Sequence, residues 1–346
     1  MHTWRTPADL ANWSTLKLSC HKAPKIPKDK TMFRELSTMK IHGVLPIVHT
    51  PFTENDDIDF ASLEKQIDWA IEQRADGFGT GMVSELIRLT YHERVELTQK
   101  LGEMANSKQT VFFAGVGAES TRQAVEYAVA AEGVGAAAVM ATPPFSTALP
   151  ISELVGYFTS LADAVTIPII VQDASSYVGQ SIPHSVCCQL LDQYGADRML
   201  FKPEAAPLGP NLSALRDATD GKAKIYEGSG GIGLVDSYRR GIAGTMPGME
   251  FLPGIVALWE ALQRGDDDDV LYRLHFPICA LVALQMQAGL DGFLAIEKYI
   301  LHRRGLFATD ARRHPYGWSL DEETRLEVDR LMERLDEAFL ARREIK

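Results

Sequence analysis

Met199-Leu200-Phe201-Lys202-Pro203-Glu204 is an apolar run that ends in a lysine, with a glutamate two residues further on. On a β-strand, residues i and i+2 point to the same face, so Lys202 and Glu204 project together. A lysine at the end of an apolar strand loses water, which disfavours its charged form and frees the amine to attack a carbonyl. The same six residues also suit a plain strand end, with the lysine leaving for solvent and ion-paired to a neighbour. The surrounding chain decides between the two.

Working outward from residue 199, short β-like runs alternate with helical stretches in both directions. The runs are 43–52, 77–85, 110–117, 136–145, 167–175, 199–204, 224–230 and 243–251. Between them, apolar residues recur at helical spacing over 60–74, 91–105, 120–132, 152–164, 183–193, 211–218 and 233–241. Such alternation implies βαβ units and a parallel sheet. Eight strands in about 210 residues imply an α/β chain closed as a (β/α)8 TIM barrel rather than a doubly wound sheet. Pro46 is awkward inside a central strand and is read as a local irregularity. After the eighth run only helical patterns remain, over 253–264, 267–288, 291–303 and 319–341. The expected organisation is an N-terminal extension over 1–40, a barrel over 41–252 and a C-terminal helical region over 253–346 packed on it. The Asp266–Asp269 cluster fits a helix N-terminus.

Residues 1–40 are basic, contain proline and carry scattered aromatics (Trp4, Trp13, Phe33) without a sustained period. A packed arm and a loose tail both fit, and Met32 and Met39 are alternative starts. No apolar segment there is long enough for a secretory signal.

The whole chain has 346 residues, 46% hydrophobic and 23% charged, the composition of an ordinary globular protein. A net charge of −11 argues against nucleic acid or an anionic membrane as partner. No uninterrupted apolar run reaches the length of a membrane span. Cys20, Cys187, Cys188 and Cys279 show no ligand spacing, and adjacent Cys187 and Cys188 are poor disulfide partners, so a reducing cytoplasm is expected.

In a (β/α)8 barrel the active site lies at the C-terminal ends of the strands. That rule gathers His49-Thr50, Ser84-Glu85, Gly115-Val116-Gly117, Thr142-Pro143-Pro144, Gln172-Asp173, Lys202 with Glu204, Gly228-Ser229-Gly230-Gly231 and Gly248-Met249-Glu250 at one mouth. Polar groups converging on a buried lysine favour a Schiff-base former over a plain strand end. No His/Asp/Glu pair has ligand spacing on one element, so neither a metal nor another cofactor is expected. The glycines of 228–231 permit close backbone approach to a ligand; a phosphate site there is weakly signalled, because no Lys or Arg follows within the loop.

In these residues, over roughly 40–340, the chain resembles the class I aldolase/dehydratase superfamily of dihydrodipicolinate synthase and N-acetylneuraminate lyase. The resemblance rests on Gly43-Val-Leu-Pro-Ile-Val-His-Thr-Pro-Phe52, on Ser84-Glu85 followed by Leu89-Thr-Tyr-His-Glu-Arg94, and on Gly115-Val-Gly117. Ala141-Thr-Pro-Pro144, Pro168 with Gly179, Phe201-Lys202 and Gly228-Ser-Gly230 complete it. It implies a lyase in which Lys202 forms an imine with a small 2-keto acid, and a homotetramer built as a dimer of dimers.

The departures narrow the expectation. Gln172 stands where the family's strand-five tyrosine is expected, Met82 and Val83 where the synthase has paired threonines, Phe145 at its second tyrosine and Tyr177 at its substrate-binding arginine. A hydroxyl proton relay cannot run through Met82, Val83, Phe145 and Gln172, so dihydrodipicolinate synthase activity is not expected. Val171-Gln-Asp-Ala174 and Phe201-Lys-x-Glu204 resemble instead the branch that dehydrates 2-keto-3-deoxy sugar acids, of the L-2-keto-3-deoxyarabonate dehydratase type. On that reading Lys202 is the imine former, Glu204 the base or acid, and Gln172 orients a water or substrate hydroxyl. The substrate carboxylate would sit on N–H groups of the strand-two loop, with Ser84, Glu85, Thr50, Asp173, Gly228 and Ser229 around the substrate. Glu85 fits a helix N-terminal acid equally well, and Asp173 a loop anchor. The alternatives are a retro-aldolase or hydratase-aldolase releasing pyruvate and, from another class, a catalytically silent sugar-acid binding protein.

Overall fold

A computed structural model describes residues 41–344; the extension expected over 1–40 lies outside them. Eight parallel strands form a barrel: β1 (Gly43–Val44), β2 (Gly77–Gly79), β3 (Val111–Gly115), β4 (Ala138–Ala141), β5 (Ile169–Asp173), β6 (Met199–Pro203), β7 (Lys224–Glu227) and β8 (Gly244–Thr245). They are hydrogen-bonded in the order β1-β8-β7-β6-β5-β4-β3-β2. The ring closes between β1 and β2, where Ile47 bridges Gly79 and the Gly79 N–H donates to the Pro46 carbonyl at 3.0 Å. Pro46 has no N–H of its own to give, so β1 is interrupted there but not lost. The chain is a (β/α)8 TIM barrel, as the alternation predicted.

The strands run two to five residues, shorter than the patterns in the sequence, because the distal part of each pattern belongs to a mouth loop. Seven helices alternate with them: α1 (Phe60–Glu72), α2 (Tyr91–Lys108), α3 (Thr121–Gly133), α4 (Ile151–Ala164), α5 (His184–Tyr194), α6 (Leu208–Ala218) and α7 (Leu234–Arg239). Their starts follow local chemistry. Asp59 accepts from the N–H groups of Ala61 and Ser62, and Thr90 with Glu93 forms a reciprocal capping box, contacts worth about 1 kcal/mol each.

Side-chain alternation sorts residues into two apolar layers. Leu45, Ile47, Phe113, Met140, Ile170, Leu200, Tyr226 and Met246 fill the barrel interior, while Val44, Phe112, Val139, Val171, Phe201 and Ile225 face the helices. On β6 this puts Leu200 inside and Phe201 outside. Lys202 and Glu204 continue the inner row.

The C-terminal region supplies α8 (Leu252–Arg264), α9 (Asp268–Gln285), α10 (Gly289–Arg303) and α11 (Glu322–Glu344). Asp267 caps α9 by accepting from the Val270 N–H at 3.0 Å. The stretch Asp268–Arg303 is apolar enough to pass for a membrane span by length and composition. Here it is two helices separated by a 3-10 turn at Met286–Ala288, with Leu274, Ile278, Leu281, Val282, Leu294 and Ile296 buried in the protein.

Candidate active site

Lys202 and Glu204 are buried at the end of β6, and Lys202 Nζ donates to Glu204 Oε1 at 3.0 Å. The other carboxylate oxygen, Oε2, accepts from Gln172 Nε2 at 2.6 Å. Parallel pairing of β5 with β6 sets Gln172 beside Lys202. Glu204 is held in place through its backbone: its N–H donates to the Asp173 carbonyl at 2.8 Å, and its own carbonyl accepts from Ser176 Oγ. Burial pushes the Glu204 carboxyl above its ordinary range, against the opposing pull of Lys202 and Gln172. A carboxyl shifted that way is suited to proton exchange near neutral pH.

Gly228 explains how three polar side chains fit in so little space. A Cβ at that position would lie 2.4 Å from Lys202 Cε and 2.7 Å from Glu204 Oε1. Any side chain there would push the tips of Lys202 and Glu204 aside. These groups line a small cavity, about 40 Å3, with Ile47, Met82, Val83, Tyr177, Gly248, Phe293 and Glu297 in its wall. A larger cavity, about 190 Å3, lies outside the barrel beside α5, with Asp173 and Cys187 in its wall. Lys202 does not reach it, and burial pushes the Cys187 thiol up to about 12, where it is unreactive.

The remaining residues singled out from sequence are near the mouth, but their polar atoms are engaged in the scaffold. Thr50 Oγ1 donates to the Ser84 carbonyl at 2.7 Å, and Ser84 Oγ donates to the Val48 carbonyl while accepting from the Gly81 N–H. Glu85, in the left-handed region at φ 56°, pairs with Lys298 and accepts from the Arg313 N–H. Asp173 accepts from Ser181 Oγ and from the N–H groups of Ser175 and Ile182. Ser229 gives its N–H and hydroxyl to Glu227. The structure thus brings Lys202, Glu204, Gln172 and Gly228 together and uses Thr50, Ser84, Glu85, Asp173 and Ser229 to shape what surrounds them.

Sequence reasoning missed two contributors, Phe293 and Glu297, and named a third, Tyr177, without giving it a place. Tyr177 lines the cavity, where burial and the nearby Glu204, Glu227 and Glu297 carboxylates hold its phenol well above the ordinary range. Phe293 and Glu297 come from α10, a helix whose sequence says nothing about the barrel mouth. His49, Glu250 and Glu297 also converge, with potential ligand atoms within 4.8 Å of one another. Ligand spacing along a single element could not have shown a cluster drawn from three.

The sequence pattern of the dihydrodipicolinate synthetase family matches residues 40–335. The chain belongs to that family. It is a lyase-type enzyme of the class I aldolase/dehydratase superfamily. Among its relatives, L-2-keto-3-deoxyarabonate dehydratase of Azospirillum brasilense is 28% identical over 310 residues, covering 88% of this chain and 97% of the relative. The 4-hydroxy-tetrahydrodipicolinate synthase of Methanococcoides burtonii is 30% identical over 69% of this chain and 81% of its own length. The crystal structure of dihydrodipicolinate synthase from Rhodopseudomonas palustris superposes with a TM-score of 0.76 at 27% identity, covering 85% of this chain and 97% of that one. Relatives of similar identity carry different activities in their names, so the chemistry turns on the side chains around Lys202.

Proposed function

We propose that this enzyme forms an imine between Lys202 and the C2 ketone of a 2-keto-3-deoxy sugar acid, and eliminates water from it. The observation that carries the reading is the buried Lys202–Glu204–Gln172 set, in which a carboxylate and an amide flank the amine. Two features favour dehydration over carbon–carbon bond formation: Gln172 stands where a relay tyrosine is expected, and the overall similarity extends across the dehydratase of Azospirillum brasilense.

The Lys202 amine attacks C2, and loss of water gives an iminium that acidifies the C3 protons. Glu204 takes one of them, giving an enamine. The C4–O bond then breaks as the C3–C4 double bond forms, and the oxygen departs as water once it has gained a proton. Hydrolysis frees Lys202. Covalent catalysis divides one hard elimination into easier steps. Met82 and Val83 open a 3-10 turn in the cavity wall; their N–H groups have no partner within that turn and suit the substrate carboxylate. For a five-carbon substrate of the L-2-keto-3-deoxyarabonate type, the product after tautomerisation is a 2,5-dioxo acid.

Borohydride reduction in the presence of 2-keto-3-deoxy-L-arabonate tests the covalent step, with an adduct expected on Lys202 by peptide mass mapping. Product analysis tests the outcome. A 2,5-dioxo acid with an intact chain is expected, whereas pyruvate with an aldehyde would establish a retro-aldolase, and absence of the Lys202 adduct would sink the imine.

A further inference from the structure

Three titratable side chains beside the cavity have no part in the steps above. His49 follows β1, Glu250 follows β8 and Glu297 lies on α10, and all three are buried. His49 Nε2 and Glu297 Oε2 are 2.6 Å apart. Glu250 Oε1 accepts from Gln285 Nε2 at 2.9 Å, while Glu250 Oε2 and His49 Nδ1 have no hydrogen-bond partner among the described residues. A Cβ on Gly248 would lie 2.2 Å from Glu250 Oε2 and 3.1 Å from Glu297 Oε1, so the loop passes tightly over both carboxyls. Of the three, Glu297 alone lines the cavity that holds Lys202 and Glu204.

Two carboxylates this close in a dry site cannot both be ionised at little cost. Burial pushes Glu250 and Glu297 up to about 8 and holds His49 down at about 4. Other charged groups surround the cluster. Lys298 and Glu85 act on His49 in opposite directions, Arg304 Nε reaches the Glu250 carbonyl at 3.3 Å, and Tyr177 faces Glu297, Glu204 and Glu227. Burial opposes charge on all three groups, so the 2.6 Å contact between Glu297 and His49 holds a shared proton rather than an ion pair. The Glu297–His49 contact therefore keeps a transferable proton in the cavity wall.

We propose that Glu297 is the general acid of the elimination, giving its proton to the C4 hydroxyl as the C4–O bond breaks. His49 and Glu250 are positioning residues that hold Glu297 and keep it protonated. The inference rests on the dehydration reading above. Glu204 takes the C3 proton, the enamine electron pair moves to form the C3–C4 double bond, and the oxygen leaves as water with the proton from Glu297. Glu297 is left as a carboxylate and regains a proton when water re-enters. Tyr177 is the rival donor, but a phenol pushed above its ordinary range is poorly matched to proton transfer near neutral pH. Glu204 returning its own proton to the leaving oxygen is the other rival.

The test uses the full chain and two substrates, 2-keto-3-deoxy-L-arabonate and its 4-deoxy-4-fluoro analogue, whose fluoride departs with far less need of an acid. Glu297→Gln should lose about 100-fold or more in kcat on the hydroxyl substrate and recover most of that loss on the fluoride. Wild-type turnover of the hydroxyl substrate should fall as pH rises through about 8, a limb missing with the fluoride and missing in the variant. Equal losses on both substrates, no loss on either, or fluoride rescue seen in Tyr177→Phe instead would each overturn the proposal. If Glu297→Gln does not fold, the two wild-type pH profiles decide: the same alkaline limb with both substrates overturns it. A limb that depends on added Mn2+ or Zn2+ after chelation would make the cluster a cation site, also overturning it. A wild-type enzyme that releases neither water nor fluoride removes the dehydration reading and this proposal with it. A dehydrating wild type matched by Glu297→Gln removes the acid alone.

Discussion

The protein buries two lysine–glutamate pairs near the barrel mouth, and they are built for opposite ends. Lys298 and Glu85 are both fully buried, and their remaining capacity is taken by the Ala311 carbonyl, the Arg313 N–H and the Phe52 ring face, 4.3 Å from the ammonium. Lys202 and Glu204 are almost as deep, yet they sit beside an open cavity, opposite a glycine, with only Gln172 as a further side-chain partner among the described residues. Burial alone does not make a lysine reactive. A pair saturated by its neighbours fixes the scaffold; a pair left with space around it can meet a substrate.

Breaking each pair should therefore cost different things. Lys202→Ala removes the proposed nucleophile: turnover should disappear and borohydride labelling with it, while circular dichroism and the melting temperature stay near wild type. A variant that aggregates would mark Lys202 as structural. Lys298→Met should do the reverse, destabilising the fold by about 3–5 kcal/mol in denaturant titration because buried Glu85 loses its ammonium partner and keeps only Arg88, 3.6 Å away, and the Arg313 N–H, with activity per folded molecule retained. Gly228→Ala is subtler. The added methyl displaces Lys202 Cε, and a shift of that kind costs about 100-fold in kcat with little change in stability; wild-type turnover would show that the lysine is not confined as described.

The smallest effect is a pH slope. Glu250 and Glu297 hold their protons to about pH 8 in the folded chain, against 4.5 for an ordinary carboxyl. The folded state thus binds more protons than the unfolded one in that window, and stability falls as pH rises through it, levelling above about 8. His49, lowered from 6.5 to about 4, acts in the opposite sense below 6.5. Melting temperatures measured between pH 6.5 and 8 should accordingly decline, and Glu250→Gln should remove roughly half of the decline. An unchanged slope would show that Glu250 is ionised.

Much of this was legible in the chain itself. The alternation of period-2 and helical patterns located all eight strands, and the i, i+2 rule put Lys202 and Glu204 on one face at the end of β6. The same rule did not reach the partners. Ser84 and Thr50 are hydroxyls at strand ends, but which way a hydroxyl turns depends on the nearest carbonyl, here those of Val48 and Ser84. Glu297 and Phe293 lie some ninety residues beyond Lys202 on a helix with an ordinary amphipathic pattern; only the packing of α10 over the mouth gives them a role. Tyr177 was visible at the position of a family arginine, as a departure without a destination.

That packing also has a consequence in time. The segment carrying Lys202 is synthesised more than a hundred residues before Arg313, which locks Glu85 and with it the strand-two loop. At the usual pace of translation the interval is about 5 to 20 seconds. During it, a nascent chain has its lysine and glutamate on a strand but lacks one wall of the pocket. Competence for chemistry should therefore come late and all at once, when the C-terminal helices close over the barrel.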